Sequence, residues 1–455
     1  MNLKTRIAIF TAKATKSFMR LLKKQASLYP GFVGQKIDKD ILKNIEKPRK
    51  IYGVTGTNGK TTSANLIADI LDILNVSYSS NRIGSNVKGG IITSLIDSNK
   101  LFGGRNKDAA VLEIDELWSR EIIKDIDLTS LTITNLFQDS YERNANIFYV
   151  KKRLEQSIKP GAKLILNASD PISSNLELDN EKIYYDVKNI FHEDERRSSK
   201  INDMIYCPKC GSKIEWAFNR YHHLGNFKCP NCGFTNKKAD YLVESFDPAN
   251  NTILVNDKGN LVELPLIQKV IESVYNQVAV YATLREDGFT HEDIAAAMSK
   301  IKIVESRYLS ERVGKKEIIS LVQKGYNPVS ISRLFDNISK HEAENKTIIS
   351  LSQNLESKYL DHRSPGWAWS IDFQYIKDKI DKIIVLSRHY PELYLAMLMA
   401  GLDEEKIILV DSEEEILNHI DFSKDETIFI THDIEKENIN QGKLVADLIK
   451  KKASK

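Results

Sequence analysis

The chain has 455 residues, 42% apolar and 28% charged, which exceeds one ordinary core and predicts a soluble protein of two or three domains. Lys and Arg outnumber Asp and Glu by only three, so the whole chain lacks the field of a dedicated nucleic-acid binder. No stretch approaches the roughly 18 consecutive apolar residues of a membrane span, no signal-peptide pattern opens the sequence, and four cysteines are too few for a disulfide scaffold. The expected location is the cytoplasm.

Charge is concentrated at the start. Residues 1–50 hold 13 Lys or Arg against 3 Asp or Glu, a local charge of +10. Ile7, Phe10, Ala14, Phe18 and Leu21 recur there at helical spacing among the basic residues. The segment 1–47 therefore reads as a basic helical element with two possible placements. Either it packs on its own domain with a solvated basic face, or it lies on an anionic membrane surface at the inner face of the membrane. Pro30-Gly31 punctuates it.

From Lys50 the pattern becomes α/β. A short buried strand over 51–55 precedes a glycine-containing turn and a helix over 61–73. Further strands are expected at 109–114, 131–134, 163–167 and 183–186, with a helix over 145–158 stopping before Pro160-Gly161. Alternating strands and helices imply a mostly parallel sheet covered on both faces. The rhythm breaks near His192, and residues 203–238 read as a small insertion in a central domain spanning 48–302. Two helices are expected at 264–284 and 291–301. A last α/β domain, 303–455, has strands expected at 318–322, 347–351, 383–386, 407–410 and 427–430, without a second Gly-rich loop.

The clearest motif is Gly53-Val54-Thr55-Gly56-Thr57-Asn58-Gly59-Lys60-Thr61-Thr62, a Gly-rich turn between strand and helix. Backbone N–H groups near Thr57–Lys60 and the helix start can surround an anion. Lys60 would lie beside the β- and γ-phosphates of ATP or GTP, with Thr61 Oγ on Mg²⁺. Gly56 and Gly59 permit backbone directions that a Cβ would hinder. In Val111-Leu112-Glu113-Ile114-Asp115-Glu116, Glu113 falls near a parallel strand's end, where it could ligate Mg²⁺ directly or through water. Asp115 and Glu116 fit helix capping or substrate orientation better.

All four cysteines fall in Cys207-Pro208-Lys209-Cys210 and Cys229-Pro230-Asn231-Cys232. Two such knuckles can converge four thiolates on one tetrahedral Zn²⁺, leaving no open position for chemistry, so the metal would organise a small ribbon. A disulfide arrangement or a redox pair is the alternative. His222 and His223 lie inside the ribbon but are not needed as ligands.

Together, the phosphate loop, the Glu113 segment and the Cys₄ ribbon resemble the Mur ligase superfamily, and more closely its MurT-type branch, the ligase subunits of lipid II isoglutaminyl synthase. Nearly the whole chain follows that order, beginning at Ala26-Ser27-Leu28-Tyr29-Pro30-Gly31. Asn81, Gly84 and Asn86 resemble the loop beneath the carboxylate substrate. Asn135-Leu136-Phe137 with Asp139 and Arg143 resembles the next ligase motif, and Leu166-Asn167-Ala168-Ser169-Asp170-Pro171 the nucleotide-side Asn/Asp motif. The resemblance implies a Mur ligase-like central P-loop domain with an inserted zinc ribbon and a Rossmann-like C-terminal domain. It also implies ATP contacts at Thr57, Asn58, Gly59, Lys60, Thr61, Thr62, Asn135, Asn167 and Asp170.

The implied reaction is activation of the D-glutamate α-carboxylate of lipid II, with ammonia from a GatD-like glutamine amidotransferase partner. The family's C-terminal segment normally lends a carboxylate to that partner's Cys-His pair. Here Ser364 stands where the carboxylate is expected, Asp361 is the nearest replacement, and Asp372 reads as structural. Gly325-Tyr326-Asn327-Pro328 and Gln138-Asp139-Ser140 also depart from the family forms. The alternatives are a paralogue acting on another carboxylate, an ATP-binding structural or regulatory subunit, and a non-ligase NTPase.

Overall fold

A computed structural model describes residues 1–82, 85–101, 103–138, 146–190, 199–301, 308–323, 327–352, 366–387, 390–434 and 436–454. The chain forms two compact units. The first takes in the described residues of 1–137, 146–198 and 202–302, and the second those of 138–145, 199–201 and 303–455.

The first unit is built on a nine-stranded sheet. Its strands are β1 (Lys50–Thr55), β2 (Tyr78–Ser80), β3 (Ala109–Glu113), β4 (Ser130–Ile133), β5 (Lys163–Asn167) and β6 (Lys182–Val187), then β9 (Tyr241–Asp247), β10 (Thr252–Asp257) and β11 (Asn260–Pro265). Between β6 and β9 a separate hairpin forms from β7 (Glu215–Tyr221) and β8 (Leu224–Lys228). The sheet order is β11-β10-β9-β6-β5-β4-β1-β3-β2, parallel from β2 to β9 and antiparallel across β9, β10 and β11. The central strands β1 and β4 are buried along almost their whole length, as a parallel sheet covered on both faces requires. Registers Val54↔Glu113 and Thr55↔Ile133 bring three strand ends to one edge of the loop after β1.

One expectation fails here. Residues 264–284 are not one helix: Leu264 and Pro265 close the antiparallel strand β11, and the helix runs Ile271–Glu286. Proline is tolerated in a first helical turn, so Pro265 gave no stop signal for a helix expected from 264; in the fold it pairs with Thr252 across the β10–β11 ladder.

The N-terminal segment belongs to this unit. Its helix Leu3–Leu21 buries Thr5, Ala8, Ile9 and Ala12. Ala8, Ile9 and Ala12 join a core with Ile41, Ile91, Leu95 and Ile96. The stripe expected from periodicity points the other way: Ile7, Phe10, Phe18 and Leu21 are exposed. The small side chains Ala8 and Ala12 let the helix approach its neighbours closely, and the Cβ of Ala12 lies against Gly34.

The second unit has a six-stranded sheet of β12 (Tyr308–Val313), β13 (Lys316–Gln323), β14 (Lys346–Ser352), β15 (Lys382–Ser387), β16 (Ile407–Leu409) and β17 (Glu426–Asp433). Their order is β12-β13-β17-β14-β15-β16, parallel except for the β12–β13 pair. Separate apolar cores fill its two faces. Among the described residues of both units, no helix is long and apolar enough to cross a membrane.

Candidate functional site

The loop between β1 and the helix Lys60–Ile73 is held by its neighbours. Gly56 has φ +131°, and a Cβ there would fall 2.3 Å from Thr134 Oγ1 and 2.8 Å from the Asn135 carbonyl. Gly59, at φ +84°, starts the helix, and a Cβ there would fall 2.3 Å from Asn276 Oδ1. Only glycine meets both constraints. Asn135 clamps the loop from β4: its carbonyl accepts from Thr57 N (2.8 Å), its Oδ1 accepts from Asn58 N (3.0 Å), and its Nδ2 donates to the Asn58 carbonyl (3.1 Å). Thr57 Oγ1 accepts from Phe137 N (2.9 Å) and donates to the Phe137 carbonyl (3.0 Å).

The amides of Thr57 and Asn58 are thus spent on protein acceptors. An anion at this loop would meet the start of the helix, where the first amides have no intrahelical acceptor. Exposed Thr61 and half-buried Thr62 open that helix, behind Gly59 and Lys60.

Lys60 is buried at the centre. Its Nζ donates to the carbonyls of Gly56 and, at 3.1 Å, Thr57, and pairs with Glu116 Oε2 at 3.1 Å. Burial alone would lower its pKa. The charges of Glu116, Glu113 and Asp115 outweigh that effect and hold the ammonium above the ordinary lysine value. Glu113 sits where β3 ends, its Oε1 accepting from Asn86 Nδ2 (3.1 Å). Asn81 fixes the same strand end through the Glu113 backbone, donating to its carbonyl and accepting from its N–H, both at 2.9 Å. Asp115 accepts from Leu117 N (3.0 Å), a local turn cap as its residue type favours. Glu116, read from sequence as a cap or substrate orienter, is the counter-ion of Lys60. The signal for it was present in the acidic pair after the strand, but the spacing did not say which carboxylate would face the lysine.

The Asn167–Asp170 segment is fully buried, and its side chains are committed to protein groups. Asn167 Nδ2 donates to the Thr134 carbonyl (3.1 Å), and its Oδ1 accepts from Ser169 N (3.0 Å). Asp170 accepts from Leu136 N and Ile172 N, both at 2.8 Å. Both residues tie the end of β5 to the 134–137 segment that clamps the phosphate loop.

The cysteine knuckles have the same backbone design twice. Cys207 N donates to the Ser212 carbonyl and Gly211 N returns to Cys207, while Cys229 N donates to Phe234 and Gly233 N returns to Cys229. All four sulfurs lie within 4.8 Å of one another, with Cys207–Cys232 and Cys210–Cys229 at 3.5 Å. These pairs are far from a bonded S–S distance of about 2.05 Å. They match the edge of roughly 3.8 Å in a tetrahedron with Zn–S near 2.3 Å. The backbone N–H of Ser212, then Asn231, holds the Cys210 thiol down to about 5. Cys232 is pushed up to about 12: the Phe234 N–H opposes the shift, but burial and the other three sulfurs prevail. Such a cluster suits a cation that lets all four ionise.

The ribbon's inner side meets the 134–137 and Asn167–Asp170 segments. His223, wholly buried in the hairpin turn, donates from Nε2 to the Leu136 carbonyl (2.9 Å) and stacks on Phe137 with ring centroids 4.5 Å apart. Its Nε2 is 3.5 Å from Asp170 Oδ1, and its Nδ1 is 3.6 Å from Asp203 Oδ2. Asn236 donates to the carbonyls of Ala168 and Gly225, both at 2.8 Å. His223 was passed over in sequence because it is not a metal ligand, yet it links the ribbon to Leu136 and Asp170.

Other expected residues lie outside the described residues: Gly84, Asp139, Ser140, Arg143, Gly325, Tyr326, Asp361 and Ser364. Asp372, in the second unit, is buried and accepts from Lys200 N (2.7 Å) and Gln374 Nε2 (2.9 Å). Burial raises its pKa above the usual carboxylate value despite those bonds. Asn327, also buried, caps the helix Pro328–Lys340.

Comparison with known proteins agrees across both units. Residues 54–231 match the Mur ligase middle domain, and residues 325–433 match the MurT ligase C-terminal family. The chain is 30% identical over 406 residues to the lipid II isoglutaminyl synthase (glutamine-hydrolyzing) subunit MurT of Staphylococcus aureus strain COL, covering 88% of this chain and 89% of that one. It is 28% identical to the subunit of the same name from Streptococcus pneumoniae R6, covering 92% of each. Among solved structures, the pseudomurein peptide ligase type C of Methanothermus fervidus superposes with a TM-score of 0.67 at 21% identity, covering 90% of this chain and 81% of that one. The MurF ligase of Thermotoga maritima in complex with ADP gives 0.58 at 14% identity, covering 93% and 84%. Both share the fold.

Proposed function

The chain belongs to the MurT family of Mur ligases, and from that premise we propose that it is the ATP-dependent subunit of a lipid II isoglutaminyl synthase. In this reading it amidates the D-glutamate α-carboxylate of lipid II to D-isoglutamine, and a GatD-like glutamine amidotransferase supplies the ammonia. The observation that carries the reading is buried, charged Lys60 between a glycine loop and the carboxylates at the end of β3.

The residues fit ATP·Mg²⁺. Gly56 and Gly59 let the loop turn tightly against Thr134, Asn135 and Asn276, the helix start offers unspent amides, and Lys60 offers a cation already desolvated. Thr61 and Glu113 would hold Mg²⁺, with Asn86 orienting the Glu113 carboxylate. Bound there, the metal would offset charge on the transferring phosphoryl group. Lys60 would exchange Glu116 for phosphate oxygens, leaving Glu116 to hold the lysine in place between turnovers. The substrate carboxylate attacks the γ-phosphorus and ADP leaves. Ammonia then attacks the acyl carbon, phosphate leaves, and a proton is released as the amide forms. The four cysteines would hold Zn²⁺ in a closed, structural site.

The test combines the chain and its amidotransferase partner with Mg·ATP, lipid II, and either glutamine or ammonium, and reads the product by mass. The expected product is lighter by the difference between a carboxyl and a carboxamide. ATP consumed without that change would point to another carboxylate, and no ATP use would favour a structural subunit. Asp361→Asn sharpens the partner assignment: it should reduce the glutamine-dependent reaction and spare the ammonium-dependent one. Equal loss with both nitrogen sources would place Asp361 in the ligase site or scaffold.

A further inference from the structure

The N-terminal helix leaves a second apolar face outside the fold. Leu3, Ile7, Phe10, Ala14, Phe18 and Leu21 fall within an arc of about 80° at 100° per residue, half a turn from the buried Thr5, Ala8, Ile9 and Ala12. The five large side chains in that arc are 46% to 79% exposed. The helix contains no acidic residue, and exposed Arg6 borders the stripe on one side, with Arg20 beyond it, while Lys4 borders the other. Lys23 and Lys24 follow at its end. Residues 1–50 carry +10 in a chain of +3, so the rest nets −7.

We infer that this face docks on the surface of an anionic lipid bilayer. The stripe is long, narrow and apolar, with cations at both borders, which matches an interfacial helix lying in the headgroup plane. The helix is too polar to span. Because residues 51–455 together net −7, the basic charge of residues 1–50 favours presenting this face to an anionic leaflet. Each basic side chain brought to such a leaflet multiplies the partition coefficient several-fold. The helix is fastened to the first unit by its opposite face and by Lys13 donating to the Asn99 carbonyl (2.6 Å) and Lys16 pairing with Asp97. Docking therefore needs no unfolding. The inference stands apart from the ligase reading, because it requires neither nucleotide nor lipid II.

The test is sedimentation of the full chain with vesicles of phosphatidylcholine alone or with about 30% phosphatidylglycerol, at low and high salt. Binding should favour the anionic vesicles by at least about tenfold and weaken with salt. Two variants divide the contributions: Phe18→Asp with Leu21→Asp removes the apolar stripe, and Arg6→Glu with Arg20→Glu reverses its border. Each should lose at least about tenfold in vesicle binding, while thermal unfolding and zinc content, which report the fold, stay as in the parent. Equal binding to neutral vesicles, or binding that survives both variants, would overturn the inference. So would absence of vesicle binding. If self-association were lost in the Phe18→Asp/Leu21→Asp variant at the same time, the face would belong to a second copy of the chain.

Discussion

The phosphate loop and the cysteine ribbon occupy the same unit but obtain their order in opposite ways. The loop inherits its shape from a nine-stranded sheet: Asn135 and Thr134 grip it from β4, Glu113 stands at the end of β3, and glycines fit where a Cβ would not. Its proposed chemistry rests on one buried cation, Lys60, which also bonds the Gly56 and Thr57 carbonyls and pairs with Glu116. The ribbon has two strands, two isolated bridges and four converging sulfurs. Its four sulfurs converge on the proposed metal position, while Met204, Ile214, Phe227 and Phe234 seat it in the apolar core of the unit. Removing Lys60 together with its counter-ion Glu116 should therefore separate function from structure in the loop, whereas replacing a cysteine should not do so in the ribbon.

The strongest test of that contrast is Lys60→Ala. ATP turnover should fall by at least about 10²-fold, the lower end for loss of a preorganised charge at a transferring group. Removing the lysine also strips Glu116 of its buried partner, a change that costs about 3–5 kcal/mol where the remaining charge stays ionised. Adding Glu116→Gln should restore the unfolding midpoint in denaturant without restoring turnover. If stability and turnover return together, Lys60 is structural and the contrast fails.

Replacement of Cys229 by Ser should act the other way round. Metal content, expected at one zinc per chain, should fall, and residues 203–238 should become sensitive to limited proteolysis. Nucleotide affinity should drop about tenfold, because a loosened hairpin releases His223 from Leu136 and Asn236 from Ala168, contacts each in the range of about 1 kcal/mol. Zinc-free protein with an intact ribbon would overturn the metal assignment. Unchanged nucleotide affinity with a disordered ribbon would show that the two regions do not communicate.

The same contrast explains what was legible in the sequence. Parallel strands were readable because buried strands such as β3 and β5 carry continuous apolar runs, Ala109–Leu112 and Leu164–Leu166, between turn residues. The Gly-Lys-Thr turn and the paired knuckles were readable because their spacing is itself the geometry. The antiparallel β10–β11 hairpin was not: Leu264, at the end of β11, continues into Leu266 and Ile267 ahead of the helix that starts at Ile271, and the sequence does not mark where one element stops. Nor was the facing of the N-terminal helix, where periodicity found the larger apolar stripe and packing chose the one with Ala8 and Ala12. Glu116 and His223 were visible as residues but not as partners, since their roles depend on contacts 56 residues away at Lys60 and 87 residues away at Leu136.

His223 is the residue at which the two regions meet, and its titration gives the smallest and most specific test. Burial would lower its pKa, but the Asp170 carboxylate, the Asp203 charge and the Leu136 carbonyl together raise it above the ordinary imidazole value. In the unfolded chain it titrates near 6.5. A folded pKa above the unfolded one means that the native state binds the proton more tightly. The resulting stability is complete below about pH 6.5 and is lost as pH rises through the folded value. His223→Gln keeps a side chain able to donate to Leu136 but cannot charge, so it should lose stability mainly at the acid end and show a flatter profile above pH 6.5. Denaturant melts of parent and variant across that range measure the difference directly. Nucleotide affinity should change by only a few-fold, because the neutral hydrogen bond, worth about 1 kcal/mol, is largely replaced. A parallel shift of both profiles would mean that His223 acts by packing against Phe137 rather than by its charge.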